Sequence, residues 1–222
     1  MRVGQSGNAI YPGRLVFVEL RAIAAKGDML RLRAMIDSVE RTSTDTAVTP
    51  GDEMLNAALE LRAHGHENGA EEMLTRARQW IAARPGEVSK RRALRRTAAN
   101  VFFASRQFDS AQTRYAALAV EDTFDITARG RVGSSAAFRG DTAMAKRVFD
   151  ELSRIDRPYT FGEPAYWRAA ISAALGEKET AVRLLSEALS HGARKMPEIH
   201  RLEEFQALRG YEPFEAILRP KG

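Results

Sequence analysis

A five-residue step from a turn residue to a small or apolar one recurs five times in this chain: Gly27 to Leu32, Gly65 to Ala70, Arg106 to Ala111, Gly140 to Ala145 and Gly176 to Ala181. The turn marks fall 38, 41, 34 and 36 residues apart. That is the period of stacked helix hairpins, each burying its apolar face against its neighbours, and not of a single closed core. The expectation is an all-α solenoid of about five hairpins over residues 12–192, after a lead at 1–11 and before a capping tail at 193–222.

The fifth unit, Glu163 to Gly192, shows the grammar. Pro164 suits a first helical turn, where its missing donor costs nothing. Gly176 ends the first helix with the backbone freedom of a C-terminal cap. Ala181, Leu185 and Ala188 then form one stripe at spacings of four and three, and Ala169, seven residues before the mark, is small where two backbones approach. The fourth unit repeats this with Gly133, Gly140, Ala145, Phe149 and Leu152. The third has Ala99, Arg106, Phe108, Ala111, Tyr115 and Leu118, with arginine where the other turns carry glycine. The second has Ala58, Gly65, Ala70, Leu74 and Ala77, and the first, with Leu20 and Leu32, is the loosest. Linkers are expected at Thr42 to Pro50, Arg84 to Ser89, about Val120 to Asp125, and Arg157 to Gly162.

This order of small and aromatic residues around a turn glycine resembles the tetratricopeptide repeat family over about residues 12–192. The resemblance departs early in the first helices, where an aromatic is largely missing, and at the unit ends, where proline is displaced (Pro85, Pro158) or absent. It implies a right-handed solenoid whose first-of-pair helices line a concave groove. The tail Arg201 to Leu218 is similar to the ending that follows repeat arrays in bacterial kinases, nucleotide cyclases and winged-helix transcription activators. Phe205, Leu208, Phe214, Ile217 and Leu218 would be the apolar teeth of two short helices separated by Gly210 and Pro213, laid over the open end of the stack to remove it from water.

Composition narrows the function classes. Cysteine is absent, which removes disulfides, thiolate nucleophiles and zinc-thiolate sites together. Polar residues break the apolar stretches at the N-terminus, so no secretory signal is expected, and nothing approaches the roughly 20 apolar residues that cross a bilayer. The reading is cytoplasmic, with no membrane partner. From Arg76 to Arg106 nine basic residues face one acid, Glu87. Such a run attracts phosphates or carboxylates when it forms one patch, and otherwise is a solvated helix start and linker.

No catalytic constellation emerges, and neither a metal nor a cofactor is expected. His64 and His66 flank Gly65 beside Glu67 but lack a further organised ligand. The run Arg129 to Ser135 carries glycines without the strand, helix start and lysine of a phosphate loop, so Gly133 is read as a helix-packing position. Glu71 and Glu72, like Glu203 and Glu204, are adjacent and point in different directions.

The groove implied by the resemblance offers a peptide-binding surface: Arg96, Asn100 and Phe103 in the third unit, Arg131, Ser134 and Phe138 in the fourth, Tyr166 and Trp167 in the fifth. Arginines and an asparagine can hold a carboxylate or backbone carbonyls, while aromatics give apolar contact at low entropic cost. Arg96 and Asn100, one turn apart, resemble part of a carboxylate clamp, and Phe138 and Trp167 fit the groove or the inter-repeat core equally. The expected function is a protein-interaction or sensor scaffold, not an enzyme, with a protein or peptide partner for which an acidic segment is a candidate. The alternatives are an accessory region of a bacterial kinase, cyclase or transcription activator, and a nucleic-acid contact through the basic helix at 90–96, which is the less favoured partner.

Overall fold

The computed structural model describes residues 12–42, 49–193 and 199–219, and among these the chain is all-helical. Helices α1 (Pro12–Ala25) and α2 (Met29–Thr42) are followed by α3 (Pro50–Ala63), α4 (Glu67–Ala82), the short α5 (Pro85–Lys90), α6 (Arg92–Ala104), α7 (Phe108–Glu121), α8 (Ile126–Phe138), α9 (Thr142–Ser153), α10 (Glu163–Ala174) and α11 (Lys178–Ser190). A 3-10 turn (Glu203–Leu208) and α12 (Glu212–Leu218) end the described chain. Helices pack on their neighbours in sequence order, α1 with α2, α3 with α4, α6 with α7, α8 with α9 and α10 with α11.

The recurring step has a backbone cause. φ is 69° at Gly27, 83° at Gly65, 56° at Arg106, 78° at Gly140 and 81° at Gly176, all left-handed. In each turn the mark donates its N–H three residues back and the next residue donates five back, as in Gly140 to the Ala137 carbonyl (3.0 Å) and Asp141 to Ala136 (2.9 Å). These two bonds satisfy carbonyls that the helix end would otherwise leave open. The residue after the mark then starts the next helix, which places position five beyond the mark against the partner helix. Leu32, Ala70, Ala111, Ala145 and Ala181 are all 0% exposed.

Side-chain caps fix the other ends. Thr49 and Asp52 form a reciprocal capping box at α3, with the Thr49 N–H donating to Asp52 Oδ2 at 2.9 Å. Asp125 caps α8 by accepting from the Ala128 N–H at 2.9 Å, and Asp141 caps α9 through Met144 at 3.0 Å. The expected linker at Arg84 to Ser89 is instead mostly the helix α5: Pro85 at its first position supplies the fixed φ of a helix start. The linker before α10 carries Tyr159 and Phe161 at φ 62° and 46°, both exposed. Of the expected linker Thr42 to Pro50, residues 43–48 lie outside the described residues, as does the lead at 1–11.

The core runs lengthwise as three consecutive apolar clusters: α1 to α6, then α6 to α8, then α8 to the tail. First-of-pair helices crowd one another, α1 on α3, α3 on α6 and α8 on α10, and no comparable contact joins the second-of-pair helices among the described residues. The first-of-pair side is therefore the inner face. Close approach there depends on glycine. A Cβ at Gly130 would lie 2.2 Å from the Trp167 ring, and one at Gly133 would lie 2.4 Å from Ile171 Cδ1. The glycines of Arg129 to Ser135 thus sit within α8 and seat two side chains of α10, a packing role that places them away from any loop that could cradle a phosphate.

Candidate functional site

The inner face is crossed by the chain's own tail. The segment from Ile199 to Leu208 lies along α3, the turn after α6, α8 and α10, while α12 packs beside α11. The apolar teeth Phe205, Leu208 and Phe214 are buried, and Ile217 and Leu218 are partly buried. The 3-10 segment, packed on α10, and α12, beside α11, both flank the last hairpin as an end cap would. The residues from His200 to Glu203, which lead into that segment, also reach back toward the earlier hairpins, where their charges are matched.

From α3 outward, Glu60 is buried and holds Arg21 of α1 at 2.5 Å, with His200 Nε2 at 3.4 Å. Arg201 donates to Asn56 Oδ1 at 3.1 Å. Glu203 meets Arg106 Nε at 2.8 Å and Arg62 Nη1 at 3.6 Å. Glu204, 1% exposed, is ion-paired with Arg131 of α8. The Arg131 guanidinium itself lies 4.4 Å from the Phe103 ring centre and 5.1 Å from that of Trp167, an attractive placement over aromatic faces. Phe205 closes the row edge-on to Tyr166, at 5.7 Å between ring centres, and stacks on Phe214 at 6.2 Å. Burial pushes the Glu204 carboxyl above the usual range, against the pull of Arg131.

The eight residues singled out from sequence divide into two groups. Phe103, Arg131, Tyr166 and Trp167 converge on the Glu204–Phe205 step of the tail. The other four are spent inside the scaffold. Arg96 is ion-paired with Asp125. Asn100 Oδ1 accepts the Tyr115 hydroxyl at 2.6 Å. Ser134 is fully buried and donates to the Gly130 carbonyl at 3.1 Å. Phe138 stacks on Phe108 at 4.6 Å in the middle cluster. Arg96 and Asn100 therefore do not converge on one open carboxylate position. Asn56, Glu60, Arg62 and Arg106 were missed. The arginine that replaces glycine at the third turn is the legible signal, since among the described residues it is the turn mark that sends a cation to the tail.

The basic run also changes character on folding. Arg76 reaches Asp37 and Glu40, Arg78 reaches Glu71, Arg92 reaches Asp125, Glu121 and Asp122, and Arg95 reaches Glu121. Acids from the same helix, from neighbouring helices and from the turn before α8 thus meet much of it. Among the described residues no group of three or more histidine, aspartate or glutamate side chains could hold a metal ion. His64 Nδ1 lies 2.9 Å from the Glu60 carbonyl, and the His66 ring fills the space under Gly27. No described helix is long and apolar enough to cross a membrane.

Comparison with known proteins adds no relative: no protein-family model, no curated protein and no solved structure matches this chain.

Proposed function

We propose that this protein is an interaction scaffold and not an enzyme: a right-handed array of about five tetratricopeptide-like hairpins, acting in the cytoplasm, whose concave face binds a peptide or protein segment. One observation carries the reading. The inner face already holds a short stretch of polypeptide by polar and aromatic contacts to side chains on α3, α8 and α10 and in the turn after α6, which is how a groove of this kind would grip a partner. A role as the regulatory region of a bacterial signalling protein would use the same groove. A nucleic-acid contact through residues 90–96 receives less support, because Arg92, Arg95 and Arg96 face Glu121, Asp122 and Asp125.

Selection of displayed random peptides on the full-length protein, with bound peptides mapped by hydrogen exchange, tests the reading. Selected peptides should protect α3, α6, α8 and α10 and lose affinity in Arg106→Ala. Protection confined to α2, α4, α7, α9 or α11 would remove the groove from consideration.

A further inference from the structure

The inner face changes its chemistry along its length, and the tail that crosses it changes in step. Its α3 end offers a carboxylate and an amide oxygen, Glu60 and Asn56, to His200 and Arg201. Its middle offers three guanidinium groups, those of Arg62, Arg106 and Arg131, to Glu203 and Glu204. Its α10 end offers the Tyr166 ring to Phe205. An occupant is thereby read in a fixed order: basic, apolar, acidic, acidic, aromatic. Reversing that order would set an aromatic side chain against Asn56 and Glu60 and an apolar one against the Arg131 guanidinium, and the charge left unmatched costs affinity as surely as the matched order supplies it.

Two features mark the tail as an occupant that another segment can replace. First, its hold on the scaffold is made by side chains. Among the described residues, the backbone bonds of residues 199–208 run within the tail, as in Phe205 to the Leu202 carbonyl at 3.2 Å, and none joins a scaffold backbone group. A 3-10 turn with no such ladder is a weakly self-supporting element. Second, the central pair is incompletely matched. Arg131 engages Glu204 through Nη1, while Arg131 Nε and Glu204 Oε2 are buried without a hydrogen-bond partner among the described residues. A guanidinium fork is built to meet a carboxylate through two parallel bonds, and each buried group left unmade is a standing cost. A carboxylate on an untethered segment can turn to make both bonds, so an incoming chain gains where the tethered one falls short.

We propose that the partner of this groove is a protein segment with the chemical order of Arg201-Leu202-Glu203-Glu204-Phe205, and that it binds by displacing the chain's own tail. The proposal rests on the reading of the inner face as a binding groove. The tail is then a built-in competitor. Being tethered, it acts at an effective concentration on the order of millimolar, so apparent affinity for an outside segment is the intrinsic affinity multiplied by the fraction of molecules whose groove is open.

The probe is a fluorescent synthetic peptide with the sequence of Ile199 to Leu208, compared with a shuffled peptide and with one carrying glutamine at both glutamate positions. Binding is measured by anisotropy on the full-length protein and on the full-length Glu203→Gln/Glu204→Gln variant, whose own tail is weakened. The variant should bind the matching peptide at least about tenfold more tightly than the parent does, and the two-glutamine peptide at least about tenfold more weakly than the matching one, the scale of a lost charge-assisted bond. The shuffled peptide should not compete. Equal binding of matching and shuffled peptides, or no gain in the folded variant, overturns the proposal. If the variant is unfolded, hydrogen exchange on the parent decides: saturating matching peptide should speed exchange at residues 199–208, and unchanged exchange there overturns the proposal. Randomly selected peptides of a different chemistry that still protect the inner face would sink the proposed order and leave the scaffold reading standing. If peptides of no chemistry protect that face, both fall.

Discussion

The Arg131 guanidinium, flanked by the rings of Phe103 and Trp167, is ion-paired with Glu204, a residue 73 positions further along the chain. This pair joins the middle of the helical stack to its tail in a largely buried setting, with the side chain of Arg131 13% and that of Glu204 1% exposed. Truncating either partner strands the other as a buried charge, which costs about 3–5 kcal/mol. Arg131→Ala and Glu204→Ala should each lower stability by that amount, while Arg131→Met combined with Glu204→Leu should cost clearly less than the two single truncations added together. Urea unfolding of the set gives the result, and strictly additive losses would show that the two residues are not coupled.

Arg106 holds a left-handed φ of 56° where the other marks are glycine, and its side chain reaches Glu203. The backbone conformation costs roughly 1–2 kcal/mol for a residue with a Cβ, and the ion pair, with Arg106 about half exposed, returns less than about 1 kcal/mol. Arg106→Gly should therefore leave the melting temperature unchanged or slightly raised, yet accelerate hydrogen exchange at Glu203 and its neighbours. A clear loss of thermal stability would mean that the contact to the tail outweighs the turn.

Two glycines should respond differently to the same added methyl group. At Gly130 it would strike the Trp167 ring, and Gly130→Ala should cost about 1–3 kcal/mol by overpacking and alter tryptophan fluorescence. At Gly140 the added Cβ would meet no atom within 4 Å among the described residues beyond its chain neighbours, so Gly140→Ala should cost about 1–2 kcal/mol through its φ of 78° and leave the tryptophan signal as it was. Near-ultraviolet spectra and melting of the two variants separate packing from backbone strain.

Glu53 of α3 is 6% exposed, its Oε2 has no hydrogen-bond partner among the described residues, and burial together with Asp52 raises its pKa from 4.5 to about 7. Below the lower value the group is protonated folded or unfolded. As pH rises between the two, the unfolded chain ionises first, so stability is lost, and above the upper value the whole penalty stands. Glu53→Gln should be more stable than the parent by on the order of 2 kcal/mol at pH 8 and nearly equal to it at pH 4. Denaturant midpoints across that range are the measurement, and a gap that does not depend on pH would exclude ionisation as its cause.

The unit-four contact gives the most direct check of register. Ala145 is 0% exposed, and Ala145→Asp would bury an unpaired charge at a cost of several kcal/mol. A thermal midpoint within a degree or two of the parent would contradict the packing.

What the sequence determined by itself is local and periodic. The left-handed positions from Gly27 to Gly176, the buried residue five places beyond each, the stripe of Ala181, Leu185 and Ala188, and the packing role of Gly133 all follow from neighbours within about two helical turns, and such patterns can be read along a line. Only the tertiary structure decided what the charges do. The run from Arg76 to Arg106 is uniformly basic in sequence, yet on folding Arg76 meets Asp37 and Arg92 meets Asp125. The inner face that sequence leaves open is filled by Arg201 to Leu208, so that Arg131 faces Glu204 instead of solvent. These partners stand 33 to 73 residues apart. A periodic pattern fixes which face of each helix is apolar, but where two distant charges meet depends on how the stacked pairs rotate and approach, and that sum over many packing contacts has no signature at any one position in the chain.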